Sequence, residues 1–350
     1  MRRTILTGDR PTGPLHLGHY FGTLANRVRL QRAGVQLFVL IADYQVLTDR
    51  DVADQLPGHV DGLVADYLAA GIDPATATIF VQSAVPALNQ LMLPFLSLIS
   101  VPELSRNPTV KEEIALSRQR AVSGLMFTYP VHQAADILAC KANLVPVGKD
   151  QLPHLQVTRA IARRFNDRYA PGSPFFPVPD ALLSAAPNLL GTDGAKMSKS
   201  RGNAIALAAT ADETARLIRA AKTDADKHIS FDPAARPEVS NLVLLAALCQ
   251  DRDPAQVAEE IGSGGSAALK RVVTESVNEF LRPLRARRAA LDADPGYLRQ
   301  LLREGNARAS AVAAGTLAGV HALMGTGHAR PDQHSPTSTA ADTATREVPI

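Results

Sequence analysis

His16 and His19 stand three residues apart in TGDRPTGPLHLGHYFG, Thr7 to Gly22, where a short β-branched run gives way to a helical pattern. Two imidazoles on a first helical turn could donate hydrogen bonds to phosphate oxygens as charge builds up during displacement of pyrophosphate. The unpaired N–H groups of the helix start add partial positive charge at the same place. Gly8, Gly13 and Gly18 would keep side chains out of the ligand's way. An HxxH pair is also a zinc pair or an ordinary helix start, so alone it decides nothing. Lys196 and Lys199 form a second set in GAKMSKSRGN, Gly194 to Asn203, flanked by Met197, Ser198 and Ser200 and bracketed by glycines. A mobile loop of this kind could close over a triphosphate and neutralise the leaving pyrophosphate, although a solvated lysine turn has the same composition. A third set, Tyr129, Gln133, Asp136 and Ile137, is spaced to share one face of a helix, and one face can line one pocket. Gly148, Lys149 and Asp150 follow a strand pattern and precede a helical one, at the edge where open α/β sheets bind ligands. There Asp150 could accept hydrogen bonds from ribose hydroxyls, but an isolated GxD is more often a helix cap.

The elements that must position these residues alternate through the first half of the chain. RTILTG from Arg3, LFVLIAD from Leu37, ATIFVQS from Ala77 and NLVPVG from Asn143 read as strands. Helical patterns lie between and after them, over 16–34, 51–70, from Pro86 to near Ala142, and over 151–165. This is βαβ grammar, which predicts an α/β fold with a doubly wound parallel sheet. Past Gly202 the strand signals fade, and 207–221, 239–250, 267–290 and 295–324 carry helical periodicity alone. From Gly325 the chain turns to Gly, Pro, Ser and Thr with almost nothing to bury, which predicts a disordered tail over 326–350.

Composition narrows the class. The 350 residues are 46% hydrophobic and 20% charged, as in soluble globular proteins, and the longest apolar runs fall well short of the roughly 20 residues that cross a bilayer. The start MRRTILTG lacks a secretory core. Cys140 and Cys249 have no CxxC neighbour, so no disulfide framework or zinc site is indicated and a reducing, cytoplasmic setting is expected. Net charge is only +3, yet residues 266–310 hold nine basic against five acidic residues. A phosphate backbone would need such a segment, and a solvated helical face would carry it equally well.

Together, HLGH and KMSKS are similar to the paired HIGH and KMSKS elements of class I aminoacyl-tRNA synthetases, whose fold is Rossmann-like. The short spacing resembles the tyrosyl and tryptophanyl branch. FTYPVHQAADIL (127–138) and LVPVGKDQLPHLQVTRAIARRFN (144–166) look like tryptophanyl-tRNA synthetases, and VSNLVLLAALC and ESVNEFLRPLRARR echo that family's helical C-terminal domain. The likeness runs from about residue 3 to 324. It implies a catalytic domain over 1–205, a helical anticodon-binding domain over 206–325, and a cytoplasmic homodimer that acts on L-tryptophan, ATP and tRNA(Trp). Mg²⁺ would arrive on the ATP phosphates, with no resident metal.

By the same resemblance, His16, His19, Lys196 and Lys199 act on the phosphates. Arg10, Pro11, Thr12, Gly18, Gly148, Lys149, Asp150, Met197, Ser198 and Ser200 border the nucleotide. Leu6, Gly8, Gln45, Gln133 and Ile137 border the amino acid, Tyr129 and Gln151 hold its ammonium group, and Val145 and Val147 pack on the indole. An indole has one N–H donor and no acceptor, so an ionised Asp136 in an apolar pocket would suit it, and rejection of phenylalanine could reach ~10⁴-fold. The arginine cluster from Arg282 to Arg288 would hold the anticodon. Arg10 stands where family members often have Gln, and His19 where they often have Asn. Gln45 replaces a histidine common near the indole, and His132 replaces an apolar residue. The last two imply a changed pocket rim and altered sensitivity to indole-like inhibitors, as in an auxiliary synthetase. Two rivals stay open on the sequence: a tyrosyl-tRNA synthetase, and a synthetase-like amino-acid sensor that charges no tRNA.

Overall fold

In the computed structural model, residues 3–48, 54–116, 123–148, 152–183 and 189–326 are described. Five parallel strands, β1 (Thr4–Asp9), β2 (Gln36–Ile41), β3 (Ala77–Val81), β4 (Leu144–Val147) and β5 (Asp180–Leu183), lie in the order β3-β2-β1-β4-β5. The chain winds outward from β1 through β2 to β3, then returns to the other side of β1 for β4. That reversal opens a crevice at the carboxyl ends of β1 and β4.

Side chains alternate across the sheet with the period of two that a strand imposes. Ile5, Leu37, Val39, Ile41 and Ile79 enter one core. It also takes in α2 (Ala25–Arg32), α3 (Leu56–Ala70), and, from the second half of the chain, α10 (Pro237–Gln250) and α12 (Gly265–Asp292). Leu6, Phe38, Leu40, Phe80 and Val145 enter the opposite core. It is shared with α4 (Ala87–Leu96), α7 (Gly124–Ala139), α8 (Leu152–Tyr169) and α13 (Pro295–Met324). Both faces of the sheet are covered, as a parallel sheet requires. The remaining helices are α1 (Leu17–His19), α5 (Val101–Arg106), α6 (Pro108–Leu116), α9 (Ala211–Arg219) and α11 (Pro254–Ile261). Among the described residues no helix is long and apolar enough to cross a membrane.

Two features depart from the linear reading. β5 was not anticipated: DALL is four residues long, half-exposed, and has neither β-branched residues nor alternation. Helix α13, assigned by periodicity to the second domain, packs back on the sheet. Asn306 Oδ1 accepts the Val81 N–H at 2.9 Å on the edge strand, and Thr316 Oγ1 donates to the Ala139 carbonyl at 2.8 Å. A Cβ at Gly305 would lie 1.8 Å from the Ile79 carbonyl oxygen, so only glycine permits this approach. α13 thereby covers the β3 edge, whose unpaired backbone groups would otherwise be exposed. Of the expected tail, residues 327–350 lie outside the described residues.

Candidate active site

A cavity of about 330 Å³ occupies the crevice. Its walls come from Leu6, Gly8 and Arg10 at the end of β1, Gln45 in the 3₁₀ turn Tyr44–Thr48 after β2, and Val145, Val147 and Gly148 at the end of β4. Tyr129, Gln133, Asp136 and Ile137 on α7 complete them. The helical spacing thus does bring these four side chains to one cavity. Lys149, Asp150 and Gln151 lie outside the described residues.

Asp136 is fully buried at the bottom of this cavity. Gln82, on the turn after β3, donates from Nε2 to its Oδ2 at 2.7 Å, while Oδ1 has no partner. Burial pushes the carboxyl up to about 7, helped by the charge of Asp43 and opposed by the Gln82 hydrogen bond. The carboxylate expected to be ionised is therefore close to half-protonated near neutrality when nothing faces it. A buried acceptor without a donor is costly, so a ligand N–H at this point would be selected strongly. Tyr129 Oη lies 2.8 Å from Nε2 of His154, which reaches the same cavity from α8. His132 does not line it. This residue sits at the margin of the α7 face and is buried against Tyr44, ring centroids 6.0 Å apart, with no partner for either nitrogen. Of the two positions expected at the rim, Gln45 lines the cavity and His132 does not.

Beside the cavity, the HLGH and KMSKS motifs meet. The segment after KMSKS pairs with the segment around HLGH: the Leu17 N–H donates to the Ile205 carbonyl at 3.0 Å and the Leu207 N–H to the Leu15 carbonyl at 2.9 Å. Lys199 Nζ donates to the Gly13 carbonyl at 2.6 Å, Met197 is buried next to Gly18, and Lys196 is exposed. Pro11 and Thr12 form the turn between, with the Thr12 N–H donating to the Arg10 carbonyl at 2.8 Å. His16 precedes α1, its ring 3.7 Å from that of His19. Burial, with neighbouring positive charge, pulls His16 down to about 3 and His19 down to about 4, so both are neutral at pH 7. Since His19 Nδ1 accepts the His16 backbone N–H at 3.2 Å, its proton sits on Nε2 and can be donated to a phosphate oxygen. The helix that follows α1 is interrupted by a π-turn over Tyr20–Leu24, which places Thr23 on the cavity wall.

The glycines also have reasons within the fold itself. A Cβ at Gly8 would lie 2.4 Å from the Leu40 carbonyl oxygen, one at Gly18 would press on the His16 ring, and Gly13 has φ +119°. Close packing within the chain and backbone conformation, not ligand clearance alone, require them.

Residues 2–282 match the family model described as tRNA synthetases class I (W and Y). The chain belongs to this family. It is 43% identical to the tryptophan–tRNA ligase of Treponema pallidum (strain Nichols), over 95% of this chain and 99% of that protein. It is 40% identical to that of Clostridium longisporum, over 93% and 97%. A crystal structure of tryptophanyl-tRNA synthetase from Campylobacter jejuni complexed with ADP and tryptophan superposes with a TM-score of 0.80, at 29% identity, covering 92% of this chain and 99% of that one.

Within this class I synthetase fold, several residues of the site were not legible in the motifs. Gln82 and His154 were missed, although Gln82 stands at a strand's carboxyl end where ligands bind. Asn203 holds the lysine loop in shape. Its Oδ1 accepts the Ser198 N–H at 2.8 Å, and its Nδ2 donates to Asp193 at 2.6 Å and to the Lys196 carbonyl at 3.2 Å. Asp9 and Arg27 form a cavity-wall pair at 2.5 Å, capped by the Tyr67 hydroxyl at 2.6 Å. Burial raises Asp9, but the guanidinium outweighs it and holds the carboxyl at about 2.

The arginine cluster also behaves differently from the charge reading. Arg285 donates to the Thr214 hydroxyl at 2.8 Å, Arg287 to the Ala69 carbonyl at 2.7 Å, and Arg288 to Asp66. Arg282 and Arg287 are exposed, and Arg285 and Arg288 are half-buried. These contacts join α12 to α3 and α9; a hydroxyl and a carbonyl leave the charges of Arg285 and Arg287 in place, and of the three only Arg288 is ion-paired among the described residues, to Asp66 and Asp292.

Proposed function

We propose that this chain activates L-tryptophan with ATP, giving tryptophanyl-adenylate and pyrophosphate, and then esterifies tRNA(Trp). The observation that carries the reading is the orphaned Oδ1 of Asp136 at a cavity that Val145 and Val147 help to wall, at the switch point of the sheet. It suits an amino acid whose side chain offers one N–H and no acceptor.

In the first step an oxygen of the tryptophan carboxylate attacks the α-phosphorus, and the bond from the α-phosphorus to the α,β-bridging oxygen breaks, so that pyrophosphate leaves with that oxygen. His16, His19, Lys196 and Lys199 receive the charge that develops on the phosphates. No proton has to be removed from a carboxylate nucleophile, so the site needs donors and cations more than a base. In the second step the terminal ribose hydroxyl of tRNA attacks the adenylate carbonyl, and AMP leaves. Among the described residues no three His, Cys, Asp or Glu side chains gather as a metal cage, so Mg²⁺ is proposed to arrive on the triphosphate. Gly148, with Lys149 and Asp150, would hold the ribose.

Purified protein should catalyse tryptophan-dependent exchange of pyrophosphate into ATP and should charge tRNA with tryptophan. Exchange with tyrosine instead would establish the tyrosyl rival, and exchange without charging the sensor. Replacing Lys196 by alanine should slow exchange by roughly 10²-fold, the scale of one lost transition-state donor. We further propose a cytoplasmic homodimer. Leu93 on α4 and Val101 on α5 are 73% and 66% exposed, beside half-buried Met92, Leu96 and Ile99. Leu93→Asp should shift the protein to monomer on light scattering, and an unchanged dimer would rule this face out.

A further inference from the structure

We propose that Arg288 and Asp66 are positioning residues that carry the placement of α12 to the backbone holding His16. The link rests on the activity proposed above, and three contacts in series make it. Arg288, on α12, donates from Nη1 to Oδ1 of Asp66 on α3 and from Nε to Asp292 at 2.9 Å. Asp66 Oδ2 accepts the N–H of Leu15 at 2.9 Å. Leu15 is covalently joined to His16, and its carbonyl accepts the Leu207 N–H beyond the lysine loop.

Asp66 is fully buried, yet it neither lines the cavity nor belongs to either phosphate motif. Burial raises its carboxyl, while Arg288, the Leu15 N–H and, at longer range, Lys199 oppose the rise. A carboxylate kept at that cost has its two oxygens committed to two different elements, so its position is fixed by both. Moving α12 moves the guanidinium, and the Asp66 carboxylate passes that displacement to the Leu15 N–H in the loop ahead of HLGH. Arg287, donating to the Ala69 carbonyl three residues along α3, keeps α12 in register over the same stretch. The tryptophan cavity is built mainly from β1, β2, β4 and α7, completed by Thr23, Arg27 and His154, and none of the residues of the link lines it. Phosphate chemistry and tryptophan binding should therefore separate when the link is cut.

The test is tryptophan-dependent pyrophosphate exchange by the full chain, comparing the parent with Arg288→Met, Asp66→Asn, their double variant and Arg288→Lys. Thermal unfolding of each establishes that it is folded. Misplacing His16 by a fraction of an ångström to an ångström should lower kcat by about 10- to 100-fold, with KM for tryptophan within about twofold of the parent. The double variant should lose little more than Arg288→Met alone, because both act along one path. Arg288→Lys, which keeps a cation that can reach Asp66, should recover part of the loss and supplies the reading if the methionine variant does not fold. A parent that fails to exchange would sink the proposed function and not the link. With an active parent, the link is overturned by a kcat within twofold in folded Arg288→Met, by an equal rise in KM for tryptophan, or by multiplicative losses in the double variant.

Discussion

Binding of tryptophan should be coupled to the ionisation of Asp136. In the empty cavity burial holds this carboxyl up at about 7, above its ordinary 3.8. An indole N–H can be accepted by the carboxylate but not by the protonated oxygen that faces it. The ligand therefore selects the ionised form, and its apparent dissociation constant is divided by the ionised fraction. At pH 8 about nine-tenths of the sites are competent and at pH 6 about one-tenth, so tryptophan should bind roughly tenfold more weakly at pH 6, or about 1.4 kcal/mol. His16 and His19, pulled down to about 3 and 4, stay neutral across this window and add no slope. The chain itself contains no tryptophan, so the indole emission of the ligand can be followed without protein background. Titrations from pH 6 to 8 should give a slope approaching one below pH 7, accompanied by proton release in calorimetry. Asp136→Asn should flatten the profile, which separates it from His154 in the same cavity. A flat profile in the parent, or an unchanged slope in Asp136→Asn, would refute the role given to this carboxylate. The same shift has a stability consequence of opposite sense. The folded pKa is raised, so the unliganded protein binds more protons than the unfolded chain between about 4 and 7. Its stability should fall as pH rises through that range.

Asn203→Ala removes an acceptor and two donors that shape the lysine loop. Exchange kcat should fall by about tenfold or more while KM for tryptophan stays constant, and an unchanged kcat would show that the loop holds its form without it. Gln45→His places at the cavity wall the histidine that the sequence resemblance implies there, and the two proteins should differ in sensitivity to an indole-containing inhibitor. Equal inhibition constants would remove the argument for an auxiliary enzyme.

How far the sequence could be read follows from the distance over which each feature is decided. β1 and β2 were legible because alternation is a local property, and Ile5, Leu37 and Val39 enter one core while Leu6, Phe38 and Leu40 enter the other. The α7 face was legible for the same reason, since the spacing of Tyr129, Gln133, Asp136 and Ile137 is fixed within one helix. β5 was not, because four half-exposed residues carry no periodicity and are ordered by pairing with β4. Gln82 was invisible as a site residue because its partner is 54 positions away, on an element whose docking the strand itself does not encode. The arginines of α12 show the limit most clearly. Their number is a property of the sequence, but their availability depends on whether Asp66, Ala69 and Thr214 lie opposite them, and those positions come from α3 and α9. Charge that reads as a nucleic-acid surface in one dimension also joins helices: Arg285, Arg287 and Arg288 each hold α12 to a neighbour, although Arg287 stays exposed. A tRNA contact by this segment would therefore draw on the exposed Arg282 and Arg287, whereas one that recruited Arg288 would break a contact leading to the HLGH backbone.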